Sequence, residues 1–234
     1  MKILAIIPAR GGSKGIPNKN IKLLLGKPLI QYTAEVALSC KDYLNRIIVS
    51  TDDSKIANIA KSIGLEVPFL RPSNMASDQA PALPYVQHAL LEFKNHFNEN
   101  FDAVLILQPT NPLRNREDII HSIELMKTHD CDSVISHFET DKYHPVFMKK
   151  ISSDGFIAPF HADFIEKEGL RRQDVTPKAL RRDGAIYLVK TEVVLSQNSL
   201  WGKKIFPYII PEERSIGIDT PKDWGQVEQY LLNN

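Results

Sequence analysis

"ILAIIPARGGSKGIPNKN", residues 3–20, passes without a break from an apolar run into a polar loop. Its first five residues are rich in β-branched side chains and do not alternate, as in a strand buried on both faces of a parallel sheet. The loop then carries the adjacent Gly11 and Gly12, Pro8 and Pro17, and the cations Arg10, Lys14 and Lys19. A structural turn needs two or three residues of that kind. So long a run of them points to an anionic ligand.

The strand pattern recurs in "RIIVS" (46–50), "AVLIL" (103–107) and "DSVIS" (132–136). Helical spacing fills the intervals. Leu29, Tyr32, Val36 and Cys40 make one stripe, Ile56, Ile59, Ala60 and Ile63 a second, and Ile119, Ile123 and Met126 a third. Residues 51–54 supply N-cap side chains for the second helix, and Gly64 closes it. Strands alternating with helices predict an α/β fold with a doubly wound, mostly parallel sheet. Ligands in such sheets sit beyond the carboxyl ends of the strands, so the loops 8–20, 51–53 and 108–114 and the stretch after 136 are the expected site. From about 138 to 182 the periodicity weakens, "HFETDKYHPVFMKKISSDG" reads as strand–turn–strand, and Phe147, Ile151, Phe156 and Phe160 are its apolar anchors. "AIYLV" (185–189) restores the strand pattern, and a helix runs from about Pro221 to Leu232. The expected organisation is one domain over residues 1–234, interrupted by a segment at about 138–182.

The chain has 234 residues, 43% of them hydrophobic and 24% charged, and a formal charge of +1. That balance argues against a general nucleic-acid binder. Cys40 and Cys131 stand far apart, Cys40 on a helical stripe, so a disulfide framework is not expected and a reducing cytoplasm is. There is no secretory pattern and no apolar stretch of membrane-spanning length. The seven histidines make no zinc spacing, and no G-x-S-x-G elbow occurs. Gly11 and Gly12 can take positive φ and let backbone N–H groups approach a phosphate, with Arg10, Lys14 and Lys19 supplying charge. The spacing is neither a Walker A loop nor a dinucleotide fingerprint.

The whole string "IPARGGSKGIPNKN" resembles the N-terminal signature of the acylneuraminate cytidylyltransferases. So do "RIIVSTDD" (46–53), "RPSNMASD" (71–78), "LQPTNPLR" (107–114), "RRQD" (171–174) and "DGAIY" (183–187), in the family's order. The resemblance implies a Rossmann-like core, an inserted dimerisation segment and a homodimer. It also implies CTP as co-substrate, Mg²⁺ dependence, an acidic nine-carbon sugar as acceptor and release of pyrophosphate. It implies Arg10 and Ser13 on the triphosphate, Lys19 and Asn20 on phosphate and ribose, and Arg71 on the cytosine edge. Gln108 is implied at the acceptor, together with Arg181 and one Arg of "RRQ", carried to Arg172 with Arg171 open. Asp219 is implied at the metal and in activating the sugar hydroxyl, although a carboxylate at a helix N-terminus reads the same way. Arg114 reads as a structural neighbour of the next helix, and His144, before Pro145, as a turn residue.

The pattern is broken at several positions. Gly217 replaces the first Asp of the metal pair, with Asp52 or Asp53 as substitutes. Asp183 replaces an Asn beside the acceptor, Ala82 a Ser of the base pocket, and Phe147 a Lys of the insert. Two rivals follow: a nucleotidyltransferase for 3-deoxy-octulosonate or a sugar 1-phosphate, and a noncatalytic nucleotide-binding homologue.

Overall fold

The computed structural model describes residues 1–13, 15–77 and 79–234; Lys14 and Asp78 lie outside them. In chain order the elements are β1 (Ile3–Pro8), β2 (Leu23–Leu24), β3 (Lys27–Pro28), α1 (Leu29–Ser39), β4 (Arg46–Ser50) and α2 (Ser54–Ser62). Next come α3 (Ala82–His96), β5 (Ala103–Ile106), α4 (Arg116–Thr128), β6 (Ser133–Glu139), β7 (Lys149–Ile151) and β8 (Ile157–Pro159). The chain closes with β9 (Leu180–Lys190), α5 (Thr191–Ser196), β10 (Ile205–Ile209) and α6 (Pro221–Asn233). The central sheet has the order β10-β6-β9-β5-β1-β4. β1 runs parallel to β4 and β5, and β10 parallel to β6, whereas β9 is antiparallel to both its neighbours. The fold is Rossmann-like α/β, as the sequence predicts.

Each strand of the first run serves two cores, which is why its apolar residues do not alternate. Ile3, Ala5 and Ile7 of β1 enter a cluster with α1, α2 and α4. Leu4 and Ile6 enter a second with α3 and α5. The stripe expected on α4 is buried; on α1 Leu29 and Cys40 of the expected stripe are buried and Tyr32 and Val36 half-buried, and Ile30, Thr33, Ala34 and Ala37 widen the buried face. Asp53 caps α2 by accepting from the Lys55 and Ile56 amides, and Gly64 follows its end at φ +89°. A third cluster, Ile16, Leu24, Leu29, Leu113, Ile218, Trp224 and Val227, ties the first loop to α6.

The antiparallel course of β9 matters most for function. It brings the start of that strand, Arg181 to Gly184, to the same edge as the carboxyl ends of β1, β4, β5 and β6. Between β6 and β9, the β7–β8 hairpin pairs, among the described residues, only with itself. Three of its expected anchors are instead exposed: Ile151 at 79%, Phe156 at 72% and Phe160 at 59%.

Candidate active site

The first loop is fastened to the fold along its length. Ile16 is buried in the third cluster, and Asn20 Nδ2 donates to the Arg10 carbonyl at 3.1 Å. The Gly11 amide donates to Asp52 Oδ1 at 3.0 Å. Neither Gly11 nor Gly12 uses the positive φ open to glycine; Asn18 does, at +52°. What requires glycine at position 11 is space, since a Cβ there would lie 2.7 Å from Asp53 Oδ2. Gly15, which sequence reasoning passed over, is packed as tightly: its Cβ would stand 2.7 Å from the Asp219 carbonyl oxygen.

Fastened in this way, the loop forms one wall of a cleft of about 210 Å³ lined by Arg10, Ser13, Lys19, Asn20, Arg71 and Gln108, with Ala82 and Tyr85 opposite. Residues far apart in sequence are thereby gathered at one place. Arg71 is 5% exposed. Its Nε donates to Ser50 Oγ at 3.0 Å, a terminal nitrogen donates to the Ser50 carbonyl at 2.6 Å, and the guanidinium lies 4.2 Å over the Tyr85 ring. Burial lowers the Arg71 pKa and raises that of the Tyr85 phenol.

Next to the cleft lies a polar cavity of about 670 Å³, bordered by Gln108, Lys142, Tyr143, Arg181, Arg182, Asp183, Gly217, Asp219 and Lys222. Beside both is a more apolar chamber of about 390 Å³, formed by Ala82, Leu83, Tyr85, Gln108, Arg182, Tyr187, Leu200 and Trp201. Gln108 borders all three spaces. Arg114 supports it from below. Buried at 4% exposure, Arg114 donates to the carbonyls of Ala185 at 2.7 Å and Gln108 at 3.0 Å and to Thr33 Oγ1 at 3.2 Å. Burial brings its pKa down to about 10, with Asp183 and Asp118 opposing the shift. The structural reading of Arg114 is the one the geometry bears out.

Several expectations need correcting. Arg172 does not line the polar cavity; it borders a neighbouring hollow with Glu139, Asp141 and Lys178, while Arg171 pairs with Asp174. The lysine that reaches the polar cavity from this segment is Lys142, and Phe147 is absent from its wall. Asp183 does not present a bare charge there: its carboxylate accepts from Ser136 Oγ, the Ala185 amide and Ser215 Oγ. His144 is a turn residue as expected, its ring held between the Val146 amide and the Pro177 carbonyl. Lys142 and Trp201 had no motif to mark them, and the antiparallel course of the strand that brings Tyr187 beside them is not visible in local periodicity.

Asp219 borders the polar cavity, and Lys19 joins that cavity to the cleft. The Lys19 amine donates to the Ile218 carbonyl at 2.6 Å and to Asp219 Oδ1 at 3.0 Å. Among the described residues no group of three or more His, Cys, Asp or Glu could hold a metal ion. Asp53 is committed to capping α2, and Asp223 to the amides of Asp219 and Thr220. Burial works to raise the Asp223 pKa, but those amides prevail and lower it. Asp219, 84% exposed at its side chain, is a hard oxygen donor beside a phosphate-sized cleft. That donor set fits Mg²⁺, which takes one or two carboxylates and completes its shell with water and nucleotide phosphates.

A Rossmann-like sheet whose first loop walls a cationic cleft, beside a cavity for a second substrate, is the layout of a nucleotidyltransferase. Residues 4–182 match the cytidylyltransferase family model. The chain is 34% identical over 240 residues to the CMP-N,N'-diacetyllegionaminic acid synthase of Legionella pneumophila, covering 100% of this chain and 98% of that protein. It is 34% identical to an N-acylneuraminate cytidylyltransferase of Streptococcus agalactiae, over 99% of this chain but 54% of that longer protein. With the pseudaminic acid cytidylyltransferase of Campylobacter jejuni it shares 32%, over 95% of this chain and 93% of that one. The solved structure of CMP:2-keto-3-deoxy-manno-octonic acid synthetase complexed with CTP superposes with a TM-score of 0.72, covering 100% of this chain and 99% of that one; at 17% identity this likeness concerns the fold. The chain belongs to the cytidylyltransferase family, and it is a nucleotidyltransferase.

Proposed function

We propose that the chain transfers CMP from CTP to the anomeric hydroxyl of a nine-carbon 2-keto-3-deoxy sugar acid of the N-acetylneuraminate, legionaminate or pseudaminate type, releasing pyrophosphate. The observation that carries this reading is the meeting of two polar spaces at Gln108 and at the Lys19–Asp219 pair. The cleft is lined by the cations and hydroxyl suited to a triphosphate, Arg10, Ser13 and Lys19, with Asn20 at the ribose and Arg71 at the base. The cavity offers Arg181 and Lys142 to the acceptor's carboxylate, and bidentate recognition by Arg181 suits that group. The apolar chamber beside Gln108 has room for an acylamino substituent.

In this reading the sugar oxygen forms the bond to the α-phosphorus while the bond to the β-phosphate bridging oxygen breaks. The hydroxyl proton leaves toward Asp219, and pyrophosphate departs along the side lined by Arg10, Ser13 and Lys19, whose donors are in place before charge develops. Mg²⁺, held by Asp219 and the nucleotide phosphates, supplies charge neutralisation when bound.

The proposal extends to the assembly. Residues 1–234 act as one nucleotidyltransferase domain, and the segment at about 138–182 pairs with a second copy of this chain. The exposed Ile151, Phe156, Ile157 and Phe160 are the motive for that pairing, because a patch of this kind is costly to leave in water. Two buried free cysteines, Cys40 and Cys131, accord with a reducing cytoplasm; no helix among the described residues is long and apolar enough to cross a membrane.

The test is pyrophosphate release with CTP, Mg²⁺ and a panel of N-acetylneuraminate, legionaminate, pseudaminate and 3-deoxy-octulosonate. Turnover with a nine-carbon acid is expected. Turnover with 3-deoxy-octulosonate alone, or CTP binding with no turnover on any acid, would set the reading aside.

A further inference from the structure

The segment between β10 and α6 supplies Glu212, Ser215, Ile216, Gly217 and Asp219 to the wall of the polar cavity. It has no regular structure apart from one 3-10 turn, Glu212–Arg214. A wall of that kind holds its shape only if something fixes it from outside. The strongest tie is behind the cavity. Arg214 donates through both terminal nitrogens to Asp118, at 2.6 Å to Oδ2 and 2.9 Å to Oδ1. The Asp118 carboxylate is 1% exposed and takes two further hydrogen bonds, from the Tyr208 hydroxyl at 3.0 Å and the Asn115 amide at 2.8 Å. Arg214 also reaches the Leu113 carbonyl at 3.4 Å.

This arrangement exceeds what helix capping needs. A capping box requires an acidic or amide side chain at the third helical position and nothing more, and α4 has one in Asn115 and Asp118. Burying the acid and giving it a guanidinium is not an economical route to stability either, since well-packed apolar groups do as well as a buried ion pair. What a forked pair provides is a single allowed position, because both partners are planar and bidentate. Asp118 stands at the head of α4, four residues beyond Arg114 and at the end of the loop that carries Gln108. Arg214 stands five residues before Asp219. The pair therefore fixes the Gln108 loop and the Asp219 segment against each other, and the Ile218 amide, donating to the Thr110 carbonyl at 2.8 Å, is the backbone bond it protects.

We propose that Arg214 and Asp118 are positioning residues that hold the acceptor side of the active site in register with the nucleotide side. The inference rests on the cytidylyl-transfer reading for its kinetic consequence but not for its structural one. Arg214→Lys keeps the charge and removes the fork. It is expected to lower kcat/KM for the sugar acid about 100-fold, the scale of a misplacement of about 1 Å at a reacting centre. The CTP dissociation constant, measured without acceptor, changes much less than that, by about tenfold at most, because the cleft wall of Arg10, Arg71 and Tyr85 does not rest on the pair. Hydrogen exchange at the Ile218 amide speeds up about tenfold or more while amides of β1 and β5 keep their protection. Tyr208→Phe, which loosens the carboxylate without releasing the segment, lowers the unfolding temperature and leaves the acceptor KM unchanged. Unchanged Ile218 exchange in folded Arg214→Lys would overturn the clamp, whether or not the wild type turns over any sugar acid. In Arg214→Lys, a fall in CTP affinity equal to the fall in kcat/KM, or a lowered unfolding temperature with acceptor kinetics intact, would overturn the positioning role.

Discussion

Replacing Lys19 by Met separates two tasks that one amine performs. In the structure its Nζ donates to the Ile218 carbonyl at 2.6 Å and to Asp219 at 3.0 Å while lining the nucleotide cleft. The Lys19 side chain is 14% exposed and that of Asp219 84%, so the ion pair itself is worth at most about 1 kcal/mol. The charged hydrogen bond to the carbonyl is the larger structural loss, about 2 kcal/mol. In a domain of this size that lowers the unfolding temperature by about 4–8 °C. The catalytic loss is expected to be larger. A preorganised donor to a developing phosphate charge contributes about 3 kcal/mol, so kcat/KM for CTP falls on the order of 100-fold or more. Met preserves the aliphatic stem, so the cleft keeps its shape. Pyrophosphate release is measured at saturating acceptor well below the unfolding transition, with thermal unfolding followed in parallel. A loss in kcat/KM smaller than about tenfold alongside the full thermal shift would make Lys19 a structural tie only and remove it from the phosphate.

Gly15→Ala forces a Cβ to within 2.7 Å of the Asp219 carbonyl, a backbone atom that cannot swing aside; an overpacking cost of about 1–3 kcal/mol should appear as weaker CTP binding by titration calorimetry, and unchanged affinity would show that the loop is not held against that segment. Gly217→Asp, by contrast, places its Cβ in ordinary contact with Asn111 Nδ2 at 3.6 Å and the Asp183 carbonyl at 3.9 Å, so stability should move by less than about 1 kcal/mol. The added oxygen ligand should lower the Mg²⁺ concentration for half-maximal turnover, and an unchanged requirement would count against a metal at Asp219. His88 has a buried Nδ1 with no hydrogen-bond partner among the described residues. Burial lowers its pKa below 6.5, with Glu92 opposing and Arg71 adding to the shift. As pH falls through 6.5 the unfolded chain gains a proton before the folded one does, so His88 costs stability progressively down to its folded pKa. His88→Gln should flatten the dependence of unfolding temperature on pH between neutrality and mild acid, and an unaltered slope would exclude His88 as its source.

The parallel strands were legible because burial on both faces leaves a mark that local reading can find: "ILAII" and "AVLIL" have no polar face to show. The cationic loop was legible for a different reason. Its glycines and cations crowd into one short stretch, so no long-range contact is needed to see them. β9 was harder. Its central "AIYLV" reads as a buried strand, but neither its direction nor its place between β5 and β6 follows from periodicity, and its direction is what brings Arg181 and Arg182 to the site. Arg172 lies beside the polar cavity of its own chain and not in its wall, since a short motif gives the residue type without the path of the intervening chain. The wider buried face on α1 reflects Thr33 and Ala34, which pack well without being strongly apolar. Asp118 was hidden because its capping role fits a surface residue, and only the fold brings Arg214 to it.

The central claim is that the sugar's own anomeric oxygen attacks the α-phosphorus of CTP. It is tested by running the reaction with a nine-carbon sugar acid carrying oxygen-18 at that hydroxyl and examining the product by ³¹P NMR. The account predicts a CMP-sugar with oxygen-18 in the bond between sugar and phosphorus, and unlabelled pyrophosphate. A CMP-sugar lacking the label at that bridge, or CMP and pyrophosphate with no sugar adduct, would contradict it.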